Sequence, residues 1–110
     1  MTSFVRGEIV LANLDPVLGT EQSKRRPCVV LSATVYNSRS VHLVIVPITS
    51  KIKGYPFEVS ISAGDVKGVA LVDHIRAIDP KVRKVVSAGV AVSFSELHQI
   101  QGLLDALLFR

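Results

Sequence analysis

The sequence predicts a mainly β fold with a C-terminal helix, arranged as a small barrel. Short apolar segments separated by turn residues recur along most of the chain, which is typical of small antiparallel sheets. Near the C-terminus the apolar residues change to a spacing of three and four, which is typical of a helix. With 110 residues the chain has the length of one domain. We therefore expect a single domain over residues 1–110.

The apolar segments are predicted as strands of two kinds. In segment 57–62, Phe57, Val59 and Ile61 share one face and polar residues the other, as in a half-exposed antiparallel strand. Segment 42–47 is more uniformly apolar, which indicates a central strand covered on both faces. The predicted strands are Glu8 to Asn13, Cys28 to Ser32, His42 to Pro47, Phe57 to Ser62, Val69 to Ile75 and a weaker segment, Val85 to Val92.

The predicted helix begins after Ser93. Ser93 and Glu96 have the spacing of a capping box, in which each side chain bonds to the other residue's backbone N–H. We expect the helix to continue to about Leu108 and to pack its apolar stripe on the barrel. The stripe consists of Leu97, Ile100, Leu103, Leu104, Leu107 and Leu108.

Composition restricts the classes of function. The net charge of +4 favours an anionic partner, either nucleic acid or an acidic protein. The single cysteine, Cys28, cannot form an internal disulfide, and we expect it to be a buried apolar residue in a reducing compartment. No apolar run reaches the length of about 18 residues that spans a membrane. These features predict a cytoplasmic protein.

Polar residues collect in one loop and at two strand ends. Segment 13–27 is predicted as a polar loop that ends in three consecutive cations, Lys24 to Arg26. Thr49 and Ser50 follow the predicted strand that ends at Pro47, and Arg76 follows the one carrying His74. Arginine forks and hydroxyls suit the oxygens of a phosphodiester. The basic run could equally be a solvated loop, and the hydroxyls could be ordinary turn residues.

Other kinds of site have little support. His42, His74 and His98 are far apart in sequence and no second cysteine accompanies Cys28, so we expect no metal. No glycine-rich nucleotide-binding motif is present, and we expect no cofactor. Aromatic residues are few, so binding is predicted to depend on charge and hydrogen bonds rather than on base stacking.

Several short motifs follow one another along nearly the whole chain. The motifs are Arg6-Gly7-Glu8-Ile9-Val10, Leu14-Asp15-Pro16, Gly19-Thr20-Glu21-Gln22, Arg26-Pro27, Val46-Pro47-Ile48-Thr49, Gly54-Tyr55-Pro56-Phe57-Glu58-Val59, Gly68-Val69-Ala70-Leu71-Val72-Asp73 and Ile75-Arg76-Ala77-Ile78-Asp79. Together, and in this order, they resemble the MazF/PemK-type toxins of bacterial toxin-antitoxin systems.

The resemblance implies an SH3-like barrel of the MazF/CcdB type. It implies a metal-independent, sequence-selective endoribonuclease, an mRNA interferase, that causes growth arrest. The 2′-hydroxyl of single-stranded RNA would attack, which leaves a 2′,3′-cyclic phosphate and a 5′-hydroxyl. A homodimer would bind a cognate antitoxin in a higher-order complex, with DNA contacted only through that complex and no contact with a membrane.

The same resemblance assigns the catalytic residues. Arg26 and Thr49 would be the catalytic pair, and Glu21 would act as a base or order its loop. Nine further residues are predicted to bind substrate: Thr20, Gln22, Lys24, Arg25, Ser50, Lys51, Lys53, His74 and Arg76.

Two residues depart from the family pattern. Thr20 stands where serine is usual, which keeps the hydroxyl. His74 stands where glutamine is usual in the Asp-Gln-Ile-Arg motif. Histidine ordinarily titrates near roughly pH 6.5. His74 could therefore serve as a hydrogen-bond donor only, or protonate the leaving 5′-oxygen.

Two other functions compete with RNA cleavage. One is a non-enzymatic toxin of the same fold that binds a topoisomerase, and the other is an RNA-binding module without cleavage. Having both Arg26 and Thr49 argues against the first, because the non-nuclease relatives lack that pair.

Overall fold

A computed structural model describes residues 1–15 and 25–110. The elements, in chain order, are β1 (Glu8–Asn13), β2 (Arg25–Val30), α1 (Thr34–Arg39), β3 (Leu43–Thr49), β4 (Glu58–Ala63), β5 (Val66–Leu71), a 3-10 helix (Val72–His74), β6 (Arg76–Ile78), β7 (Val86–Ala91) and α2 (Phe94–Phe109).

The strands form one antiparallel sheet in the order β4-β5-β3-β2-β1-β7, which curves into a half-barrel. Strand β3 is its centre. One edge of β3 pairs with β2, while the other pairs with β6 at Leu43 and with β5 at Thr49. The prediction of a mainly β fold with a C-terminal helix is confirmed.

Two predicted strand boundaries are wrong. The predicted strand 69–75 is instead β5, which ends at Leu71, followed by the 3-10 helix. The chain turns there because β6 must reach the other half of the same β3 edge. Strand β2 begins at Arg25, inside the predicted polar loop, because it continues beside β1 with Asn13 opposite Arg25.

The core consists of two apolar clusters. One includes Ile9, Val46 and Ile100, and the other includes Val10 and Ile45. Neighbouring residues of β1 and β3 thus belong to different clusters, which confirms that the central strands are covered on both faces. Ile48 belongs to the first cluster, so the end of β3 at Thr49 directly follows the packed core.

Helix α2 packs on the core through Ile100, Leu103 and Leu104. The predicted capping box of Ser93 and Glu96 is confirmed. Glu96 also accepts a hydrogen bond from the backbone N–H of Ser62 in β4 (2.8 Å). Ile100 is fully buried, whereas the end of the predicted apolar stripe is exposed, with Leu107 53% accessible. No helix in the described ranges is long and apolar enough to cross a membrane.

Candidate active site

Thr49 is the last residue of β3 and is half-buried. Its hydroxyl oxygen accepts a hydrogen bond from the backbone N–H of Lys51 (3.2 Å). Because that bond uses a lone pair, the hydroxyl proton remains available for donation. Gly68 of β5 lies so close that a β-carbon there would overlap the carbonyl oxygen of Thr49. Thr49 is therefore fixed in position by backbone packing.

Arg26 lies in β2, opposite Ala12 of β1, and its side chain is exposed. Since successive side chains of a strand point to opposite faces, Arg25 points away from the face that Arg26 occupies. Arg25 is half-buried, and its Nε atom is buried without a hydrogen-bond partner among the described residues. Arg25 and Arg26, which are adjacent in sequence, therefore lie on opposite faces of β2.

A pocket of about 280 Å³, which we call the central pocket, brings the predicted residues together. Arg26 and Thr49 line it, and so do His74 from the 3-10 helix and Arg76 from β6. The His74 Nε2 atom lies 3.9 Å from a carboxylate oxygen of Asp73, and the His74 side chain is 58% exposed. Two guanidinium groups, a hydroxyl and an imidazole thus face one small space.

Cys28 lies buried in β2, two residues after Arg26. Burial raises the pKa of its thiol to about 12, although the positive charges of Arg76 and Arg26 oppose the rise. The thiol therefore stays protonated and unreactive at neutral pH. Its burial confirms the prediction that Cys28 is an apolar core residue.

Two further depressions adjoin the central pocket. Thr49 also lines both of them. The larger, the Lys67 pocket, has a volume of about 400 Å³ and includes Arg26, Ser50, Lys51 and Lys67. The smaller, the Tyr55 cleft, has a volume of about 200 Å³ and is lined by Thr49, Lys51, Lys53, Tyr55, Phe57, Glu58, Leu71 and His74. Together the three form a groove in which basic side chains outnumber acidic ones.

The remaining predicted site residues are not among those that the structure describes. They are Thr20, Glu21, Gln22 and Lys24. The chain leading toward them is anchored: Asp15 N–H donates to the side-chain oxygen of Asn13 (3.1 Å), and Arg83 donates to the carbonyl oxygen of Asp15 (2.8 Å).

Sequence reasoning missed two groove residues, Lys67 and Tyr55. Lys67 is brought to Thr49 by the pairing of β5 with β3, which no local pattern reveals. Tyr55 had a signal, since it is an aromatic residue that follows Lys53 and Gly54 in the polar segment after Thr49. In the described part of the chain, no group of three or more His, Cys, Asp or Glu residues could hold a metal ion.

Comparison with known proteins places this chain in a family. Residues 5–108 match the family described as PemK-like, MazF-like toxin of type II toxin-antitoxin system. The endoribonuclease toxin MazF of Escherichia coli K12 is 37% identical over 102 residues, which cover 93% of this chain and 91% of that protein. The endoribonuclease toxin ChpB of the same strain is 36% identical over 96 residues, 82% of each chain.

Solved structures agree with these relatives. The crystal structure of MazF from Deinococcus radiodurans superposes with a TM-score of 0.86 at 36% identity, over 100% of both chains. MazF in a MazE-MazF complex from the same organism superposes with a TM-score of 0.83 at 33% identity, over 98% of this chain and 97% of that one. The chain therefore belongs to the PemK-like, MazF-like toxins of type II toxin-antitoxin systems.

Proposed function

We propose that this protein is an endoribonuclease toxin that cleaves single-stranded RNA in the groove centred on Thr49. The observation that carries the proposal is the central pocket, where Arg26, Thr49, His74 and Arg76 converge. Relatives that are more than 30% identical over most of the chain are named endoribonucleases. Fold and family support the activity, and the pocket supports the place where it occurs.

The mechanism follows from the chemistry of these groups. The 2′-hydroxyl gives its proton to a base, for which we propose the Glu21 carboxylate, and its oxygen attacks the adjacent phosphorus. The bond from phosphorus to the 5′-oxygen breaks, and that oxygen takes up a proton, which leaves a 2′,3′-cyclic phosphate and a 5′-hydroxyl. Negative charge grows on the non-bridging oxygens during attack. The planar fork of Arg26 matches those oxygens, and the free hydroxyl proton of Thr49 adds one more hydrogen bond. No step requires a metal ion, because the substrate carries the nucleophile.

One gel distinguishes this activity from binding without cleavage. A long RNA is incubated with the purified protein in excess EDTA, and the fragments are examined for 5′-hydroxyl ends. We expect discrete fragments whose yield is unaffected by EDTA. Protection of the RNA without cutting would instead indicate an RNA-binding module, and fragments that vanish with EDTA would contradict the mechanism.

His74 is proposed to protonate the leaving 5′-oxygen. It lines the central pocket with Arg26 and Thr49, and a carboxylate oxygen of Asp73 lies 3.9 Å from its Nε2 atom. The other charged groups around it are Arg76 in this pocket and Lys51, Lys53 and Glu58 in the Tyr55 cleft.

We expect His74→Gln to keep the hydrogen bond but to change the pH profile of cleavage, because an amide cannot donate a proton as a general acid does. The rate of the variant should be lower by about 10²-fold near neutral pH. Cleavage rates from pH 5.5 to about 8.5 would measure this. An unchanged profile would mean that His74 only donates a hydrogen bond.

Assembly completes the proposal. We propose a cytoplasmic homodimer that a cognate acidic antitoxin neutralises in a higher-order complex, with DNA contacted only through that complex. The exposed apolar end of α2, including Leu108 and Phe109, supports association, because such side chains gain from burial. The basic groove supports an acidic partner. Light scattering should give twice the mass of one chain.

A further inference from the structure

An exposed aromatic ring forms one wall of the groove. Tyr55, in the loop between β3 and β4, is 49% exposed, and its ring centroid lies 5.3 Å from that of Phe57 with the planes tilted by 31°. Phe57 is half-buried and lines an apolar groove with Val72 and Leu103 of α2. Tyr55 is therefore backed by an aromatic ring that rests on the body of the protein.

The loop that carries Tyr55 is held in place by Glu58. Its two carboxylate oxygens accept hydrogen bonds from the backbone N–H groups of Gly54 (3.0 Å) and Lys53 (3.4 Å). The Glu58 N–H donates to the Tyr55 carbonyl oxygen (3.1 Å). Gly54 has a φ of 77°, which glycine adopts without strain. Because the loop is ordered by its own bonds, a ligand would meet a preformed surface.

The Tyr55 cleft is continuous with the central pocket. Thr49, Leu71 and His74 line both. The volume of about 200 Å³ is below the roughly 300 Å³ at which drug-sized sites begin, which suits one flat ring system better than a whole nucleotide. A nucleotide whose phosphate lies at Arg26 and Thr49 would bring a neighbouring base to this cleft.

We infer that the Tyr55 cleft binds one nucleobase of the RNA, stacked on the exposed face of Tyr55, next to the phosphate that is cut. Single-stranded RNA is commonly recognised by bases splayed out onto aromatic side chains. Lys53 and Glu58 line the same cleft and provide a donor and an acceptor for the edge of the base. This subsite rests on the proposed function and deepens it: Tyr55 contributes to binding and base choice, while Arg26 and Thr49 stabilise the transition state.

The experiment combines variants with abasic substrates. A short RNA spanning a mapped cleavage site is prepared intact and in a series in which one base at a time is replaced by an abasic ribose. Each RNA is cut by the wild type, Tyr55→Ala, Tyr55→Leu and Tyr55→Phe. Tyr36→Ala is the matched control, because Tyr36 is similarly exposed (41%) but lies on α1, outside the groove.

We expect Tyr55→Ala and Tyr55→Leu to raise KM on the order of 10-fold with little change in kcat, since one stacked base is lost. Tyr55→Phe and Tyr36→Ala should behave as the wild type. At one abasic position, the KM of the wild type should rise to the same extent. The KM of Tyr55→Ala should not rise further at that position, because the two changes remove the same contact.

Two results would overturn the subsite. Full activity of Tyr55→Leu would show that apolar packing against Phe57, not stacking, is what Tyr55 supplies. Additive losses at every abasic position would show that no base lies on Tyr55. Thermal unfolding of each variant confirms that the measured protein is folded.

A wild-type protein that does not cleave RNA would give different results. If the wild type cuts no RNA, fluorescence anisotropy with labelled oligo(U), oligo(A) and oligo(C) still tests the cleft. About 10-fold weaker binding of one of these by Tyr55→Ala, but not by Tyr36→Ala, would support a base subsite in a protein that does not cleave. Equal affinities of all variants would overturn the subsite as well.

Discussion

Replacing Arg26 with alanine is expected to lower kcat for RNA cleavage by about 10²-fold or more, with a smaller change in KM. The guanidinium lines the central pocket beside Thr49, and its donors would bind oxygens whose negative charge grows only in the transition state. Arg26→Lys keeps the charge but not the planar fork, so we expect it to recover only part of the loss. Single-turnover cleavage of a labelled RNA measures the effect.

Arg39→Ala is the matched control for Arg26. Arg39 is an exposed arginine at the end of α1, where it has no part in the groove. If Arg26→Ala cut RNA at the rate of the wild type, or if Arg39→Ala were equally slow, the assignment of Arg26 would be wrong.

Variants of Thr49 should slow the same reaction. Thr49→Val keeps the shape of the side chain and removes the hydroxyl, so it should also lower kcat by about 10²-fold. Thr49→Ser keeps the hydroxyl, so its kcat should be close to that of the wild type. Because Arg26 and Thr49 would act on one phosphate, the double variant should lose less than the product of the single losses. A fully multiplicative loss would place the two residues at independent sites.

The sequence alone was sufficient to predict the bounds of the elements that have a long apolar pattern. Strand β4 and helix α2 were predicted within one residue at each end, because alternation and the capping box are local signals. Helix α1 was not predicted, since Val35 and Tyr36 on it are exposed and leave no apolar stripe. It is held instead by Asn37, which donates to the carbonyl oxygen of Phe4 (2.9 Å), a contact with a distant part of the chain.

The candidate site, too, could be predicted from the sequence only in part. Motifs pointed to Arg26 and Thr49, and the structure brings them together. Lys67 enters the groove only through the pairing of β5 with β3, and Arg25 leaves it only because β2 begins earlier than predicted. Both depend on strand register, which long-range packing determines and sequence spacing does not.

Gly68→Ala is expected to lower the free energy of unfolding by about 1–3 kcal/mol and to reduce cleavage by the folded protein. The new β-carbon would overlap the carbonyl group of Thr49 and approach the backbone nitrogen of Ser50. Backbone atoms cannot rotate away as a side chain could, so β5 must separate from β3 where Thr49 pairs with Val69. The displacement would move the Thr49 hydroxyl relative to Arg26, and small misplacements of this kind are costly in catalysis.

Gly102→Ala is the same chemical change with the opposite expected sign. Gly102 lies exposed in α2, and a β-carbon there meets nothing within 4 Å. Alanine should therefore stabilise the protein by up to about 1 kcal/mol through helix propensity, with no effect on cleavage. Urea unfolding gives both stabilities, and cleavage well below each unfolding midpoint isolates the effect on the site. If Gly68→Ala matched the wild type in both measurements, the close packing of β5 on Thr49 would have no part in holding the catalytic hydroxyl.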